Sequence, residues 1–180
     1  MKTRYIQVLK GCIALVITVA GLYAGQSVWQ NYAFDLPLDK ALNEIDGVEE
    51  VTRDNSNSIN DPMNIYVKLG NTANLQKTHM EINKKIEQIL KSRQYTLEIR
   101  DNRSPDLEQA YYDIHCYIQK AIVDGDFPIL EEKVREKAES AGAEAKLYVD
   151  EQNIYLQLTK NNSSLYAVVA RHSGRIGGNF

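Results

Sequence analysis

AKLYVDEQNIYLQLTKNNSSLYAVV, residues 145–169, has the pattern of three strands in succession. Ala145, Leu147 and Val149 alternate with Lys146 and Tyr148; Ile154, Leu156 and Leu158 alternate with Tyr155 and Gln157; Leu165, Ala167 and Val169 alternate with Tyr166 and Val168. A period of two puts each aliphatic set on one face of a pleated strand. The connections, Asp150 to Asn153 and Lys160 to Ser163, are short and polar, so neighbouring strands run antiparallel. The segment predicts an antiparallel three-stranded meander with one aliphatic face for helices to cover. Its opposite face collects Tyr148, Tyr155 and Tyr166. Tyrosine buries a large ring while keeping a polar tip, so this face is a candidate interaction surface; the alternative is ordinary cross-strand packing on a half-exposed sheet.

Two helices precede the meander. Ser104 and Pro105 have the cap and first-turn chemistry of a helix start, and Leu107, Ala110, Tyr111, Ile114, Ile118 and Ile122 form its apolar face up to Asp124 and Gly125. A second helix follows Asp126 and Pro128, with Leu130, Val134, Ala138 and Ala141 as its stripe and Gly142 as its stop. Residues 104–171 are thus an α-α-β-β-β unit.

Residues 35–103 have the order α-β-β-α-β. Leu38, Leu42 and Ile45 recur at helical spacing before Gly47, and a short strand over Val48 to Thr52 follows. The polar run DNSNSINDP, residues 54–62, is a surface loop. Ile65, Val67 and Leu69 alternate as a strand; Leu75, Ile82, Ile86, Ile89 and Leu90 stripe a long helix; Tyr95, Leu97 and Ile99 alternate again. The whole predicts an α+β fold of two small αβ units, with antiparallel and mixed arrangements of the six strands both open. The α-β-β-α-β order resembles, in element order alone, the small modules of ring-building and other envelope-assembly proteins. That resemblance implies a scaffolding role.

Residues 11–34 carry no formal charge, and GCIALVITVAGLYAG within them is densely apolar and free of proline. About 20 such residues cross a bilayer as a helix. Lys2, Arg4 and Lys10 precede the run and Asp35, Asp39 and Lys40 follow it, so the positive-inside rule keeps residues 1–10 in the cytoplasm and exports the remainder. Trp29, Tyr32 and Phe34 suit a membrane-interface belt. The rival is a signal peptide cleaved after Ala20 or Gly21, but the apolar character continues through Leu22, Tyr23 and Ala24 to Val28 and Trp29. The expectation is a signal-anchor in a bacterial cytoplasmic membrane, single-pass, with a tail at 172–180.

Composition narrows the chemistry. After residue 10 the chain holds 18 basic against 24 acidic groups, which offers no electrostatic footprint for nucleic acid. Cys12 lies in the apolar run and Cys116 far along in a helix, so no disulfide framework is expected. Asn102, Asn161 and Asn162 begin sequons that matter only in a glycosylating host. His115 and Cys116 are adjacent helix residues that point about 100° apart, which is poor geometry for an activated thiol pair. His79 falls beside the Leu75 and Ile82 stripe as a core-edge histidine, and no histidine pair has metal-ligand spacing. The glycines at 174, 177 and 178 lack the strand before and helix after of a phosphate loop.

No catalytic, cofactor or metal residues are therefore expected. The expected function is that of a membrane-anchored extracytoplasmic scaffold or accessory subunit of a cell-envelope complex, acting through contacts with protein partners, with self-association into a homo-oligomer open. The alternative is an extracytoplasmic sensor or small-ligand-binding module; a membrane-anchored hydrolase is the third. An exposed tyrosine face with no enclosed pocket favours the scaffold, a concave apolar pocket between the two units favours the binding module, and converging polar residues inside such a pocket favour an enzyme.

Overall fold

The computed structural model describes residues 15–21, 36–54, 62–91 and 93–171. They fall into two units, one ending at Ala41 and one beginning at Leu42. In the first, α1 (residues 15–21) is helical with Leu15, Val16, Ile17 and Val19 exposed. Among the described residues no helix is long and apolar enough to cross a membrane. The rest of the expected span, with Trp29, Tyr32 and Phe34, lies outside the described residues, as do most of the 54–62 loop and the tail from His172.

The chain continues through α2 (Leu36–Asn43) into the second unit. Gly47 there has φ +87, the left-handed stop expected of it, and a Cβ would lie 3.0 Å from the Thr72 Cβ. β1 (Val48–Asp54), β2 (Met63–Leu69) and β3 (Tyr95–Arg100) form one sheet in the order β1-β2-β3. β1 extends two residues beyond the strand expected from the aliphatic pattern, because pairing with β2 continues through Arg53 and Asp54. β1 is antiparallel to β2, whereas β3 is parallel to it, with Ile65 opposite Leu97 and Val67 opposite Ile99.

The parallel pairing follows from α3 (Leu75–Leu90), since parallel neighbours need a crossover connection. Asn74 caps α3 by accepting a hydrogen bond from the Lys77 N–H at 3.0 Å. Leu75, Thr78, Ile82, Ile86 and Leu90 are buried on α3, while Ile89 is only half-buried. Met63, Ile65, Val67 and Leu69 are buried on β2.

The second half is α4 (Pro105–Asp124), α5 (Phe127–Ser140), β4 (Glu144–Val149), β5 (Asn153–Lys160) and β6 (Ser163–Ala170). Ser104 caps α4 with Pro105 in the first turn, and Gly125 ends it at φ +76. The strands form a separate antiparallel sheet, β4-β5-β6, the expected meander. Ile154, Leu156, Leu158 and Leu165 pack into one core with Leu107, Ile114, Ile118, Leu130 and Val134 of the two helices. Burial of aliphatic side chains of this size contributes about 1.5–3 kcal/mol each.

On β5 every residue from Ile154 to Leu158 is buried. Side chains alternate across a strand, so five consecutive buried positions mean that both faces of this sheet are covered. The helices cover one. The other is covered by the first half, so the two αβ halves belong to one unit.

The free edge of β6 is closed by the β3–α4 connection. Asp101 Oδ2 accepts from the Tyr166 N–H at 2.8 Å, and Asn102 Oδ1 accepts from the Ser164 N–H at 2.9 Å. Two side chains thus take the place of a fourth strand and remove the hazard of an unpaired edge. Arg103 holds Asp101 in a fork, with Nε and Nη2 each donating at 2.8 Å.

Candidate functional site

Lys146, Gln157 and Tyr166 stand directly opposite one another across β4, β5 and β6. All three reach the segment between β2 and α3. Tyr166 Oη donates to Gly70 O at 2.5 Å and accepts from the Thr72 N–H at 3.3 Å. Gln157 Nε2 donates to Thr72 O at 2.8 Å, and Lys146 Nζ donates to Ala73 O at 3.2 Å. A non-regular segment covering a sheet needs partners for its backbone groups, and one cross-strand row supplies them. Thr72 is fixed further by its hydroxyl, 2.8 Å from that of Thr78.

This row corrects the expected interaction face. Tyr155 is 1% exposed and Tyr166 2%, so both are part of the interior, and Tyr148 is half-buried. The Tyr155 ring meets His79 edge-on at 5.5 Å, and its hydroxyl donates to Asp150 Oδ2 at 2.8 Å. The face that tyrosine chemistry suits to a partner is occupied by residues 70–73 and α3 of the same chain.

Beside the row lies an open cleft of about 760 Å³, walled by Asn71, Thr72 and Ala73 on one side and Lys146, Gln157 and Thr159 on the other. Asp46, Glu144 and Lys160 also line it. Gln157 is 2% exposed, and its Oε1 has no hydrogen-bond partner among the described residues. The bond from Nε2 to Thr72 O fixes the amide's orientation, because a flipped amide would set oxygen against oxygen. A buried acceptor without a donor costs about 1–3 kcal/mol.

His79, half-buried on α3, has the Asn83 amide 3.2 Å from Nδ1, and Tyr95 Oη donates to Asn83 Oδ1 at 3.0 Å. Burial pushes the imidazole below its ordinary value of 6.5, outweighing the upward pull of Asp150. Asp150 is held below its ordinary 3.8: burial pushes it up, but donation from the Asn153 and Gln152 amides, the Tyr155 hydroxyl and Gln76 prevails. Both shifts have the same sign for stability, since the unfolded chain binds the proton more readily. The His79 contribution is complete above about pH 6.5 and is lost as pH falls through the lower folded value. The Asp150 contribution is lost only below its ordinary 3.8. Urea midpoints are expected to fall on acidification from pH 7 to pH 5, and His79→Gln is expected to flatten that segment of the profile. An unchanged slope in the variant would remove His79 as its source.

His115 and Cys116 do not form a reactive pair: His115 Nδ1 lies 3.3 Å from the Tyr111 hydroxyl, and the exposed Cys116 thiol contacts the Asp113 carbonyl at 3.7 Å. Among the described residues no group of three His, Cys, Asp or Glu side chains is placed to hold a metal ion. The cleft residues carried no motif. Their only signal was the uncharged run Ile154 to Leu158, which places Gln157 among buried neighbours. No protein-family model, no curated protein and no solved structure matches the chain.

Proposed function

We propose that the chain is a membrane-tethered extracytoplasmic binding module, a sensor or ligand-carrying domain, whose small polar ligand occupies the cleft between residues 71–73 and the β4–β5 surface. The observation that carries this reading is the open cleft of about 760 Å³, walled by Asn71, Thr72, Lys146, Gln157 and Thr159. The charge-free segment 11–34, behind Lys2, Arg4 and Lys10, supports the tether and its orientation.

The test is an NMR screen of the full-length protein in detergent micelles against a panel of small polar molecules. Shift changes confined to residues 71–73, 144–146 and 157–161 support the reading. A panel that moves none of them sinks it.

A second reading, a scaffold or accessory subunit of a cell-envelope complex, draws support from a different surface. Tyr112 and Val123 of α4 and Ile129 of α5 are exposed, Val123 at 84%. Association surfaces are built from exposed apolar side chains that lie together, and α4 and α5, which pack on one another, carry these three. Crosslinking in native membranes distinguishes it: Val123→Asp should abolish captured partners or a homo-oligomer while leaving the fold intact, and unchanged capture would remove this surface from consideration.

A further inference from the structure

We infer that α4 pairs antiparallel, about a two-fold axis, with α4 of a second copy of this chain. The inference rests on the second reading above, which takes the exposed α4–α5 surface as one of association, and it names the occupant. The cleft does not enter it.

The buried stripe of α4 is Leu107, Ala110, Ile114, Ile118 and Ala121. On the opposite side of the helix Tyr112, Cys116, Gln119 and Val123 follow one another at intervals of four, three and four residues. All four are exposed, Tyr112 at 63% and Val123 at 84%. At about 100° per residue this spacing holds the four in one narrow stripe, the seam geometry of a helix pair. Gln119, the polar member, weakens such a seam but restricts its register.

The charges beside the seam select both orientation and occupant. Asp113 and Lys120 border it on one side, Glu108 and His115 on the other. In a parallel pair of identical helices opposite borders meet, which sets Glu108 against the partner's Asp113 and His115 against the partner's Lys120. In an antiparallel pair like borders meet. With Tyr112 opposite the partner's Val123 and Cys116 opposite the partner's Gln119, Asp113 faces the partner's Lys120, and the two-fold axis makes that ion pair twice. Sliding the helices by one heptad either way brings Asp113 onto the partner's Asp113 or Lys120 onto the partner's Lys120. The surface therefore carries the complement of its own charges in one antiparallel register.

Both groups already make exposed contacts within α4: Gln109 Nε2 donates to Asp113 Oδ1 at 2.9 Å, and Lys120 Nζ donates to Asp124. Exposed contacts of this kind are weak, so exchanging them across an interface costs little. The seam runs about 16 Å at ~1.5 Å per residue, which makes the dimer a small and reversible one.

The test uses the 180-residue chain in detergent micelles with Cys12 and Cys116 changed to serine. One preparation carries Tyr112→Cys and another Val123→Cys, and a short bismaleimide is added to each alone and to their mixture. Crosslinked dimer in the mixture, and in neither preparation alone, is the expected result, because residue 112 of one copy lies beside residue 123 of the other and about 16 Å from its own counterpart. Dimer in each preparation alone means parallel helices, and dimer in none means that α4 does not pair with itself; either overturns the inference.

Charge reversal gives an independent readout by sedimentation of the otherwise wild-type chain under reducing conditions. Asp113→Lys or Lys120→Asp alone should weaken dimerisation about tenfold, and the two together should restore it. A double variant no tighter than the single ones overturns the pairing. The substituted positions are exposed, so the core stays intact. If the crosslink is missing while Val123→Asp still abolishes capture of a different protein in native membranes, self-pairing falls and the association surface stands. If capture is also unchanged, both fall together.

Discussion

Tyr166→Ser is expected to cost about 3–5 kcal/mol of folding stability, the range for emptying a large aromatic site in a core. Two losses combine. The ring leaves a cavity at a position that is 2% exposed, and the missing hydroxyl strands Gly70 O and the Thr72 N–H, both of which it serves. A domain of this size has roughly 5–15 kcal/mol in total, so the variant should be visibly destabilised and a Tyr155→Ser, Tyr166→Ser double variant close to unfolded. Tyr166→Phe separates the parts: it keeps the ring and should cost about 1–3 kcal/mol for the two stranded backbone groups. Tyr148→Ser, at a half-buried position, should cost less than about 1 kcal/mol. Urea titrations of the three single variants check the order, and equal, small losses for Tyr148 and Tyr166 would return the tyrosine face to the surface.

The second large effect is expected at Asp101. Its side chain is 2% exposed and accepts from the Arg103 N–H at 3.2 Å, the Arg103 guanidinium and the Tyr166 N–H. Asp101→Ala should cost about 2–3 kcal/mol, the range for losing hydrogen bonds to a charged group while a buried donor is left unpaired. Arg103 remains partly solvated, which keeps the figure below that of breaking a fully buried ion pair. The same change uncovers the edge of β6, so faster exchange of the Tyr166 amide and concentration-dependent association should accompany it. Stability within 0.5 kcal/mol of wild type would show that the edge is closed by other means.

Much of this architecture was legible. The meander, the capped start of the helix at Ser104 and Pro105, and the α3 stripe all follow from periodicity and local chemistry, which depend on neighbours within a few residues. The role of the Lys146, Gln157 and Tyr166 row was not. Alternation separates two faces of a strand but does not say whether the polar face meets water or the backbone of a segment 73 to 96 residues away in sequence. Tyrosine and glutamine serve equally well at a surface and at a hydrogen-bonded seam, so their type left the question open. The cleft was beyond reach for the same reason: its walls come from β2–α3, β4 and β5, and nothing local joins Asn71 to Thr159. The parallel β2–β3 pair was left open because the aliphatic pattern of a short strand does not reveal its direction.

The seam between residues 70–73 and the second sheet underlies both the buried tyrosines and the cleft, and nuclear Overhauser contacts measured on the full-length protein test it most directly. Cross-peaks from the Tyr166 ring to the Thr72 amide, and from the Tyr155 ring to His79, are the expected result. Their absence, with the Tyr155 and Tyr166 rings accessible to a soluble paramagnetic agent, would contradict the seam and remove the wall on which the binding site depends.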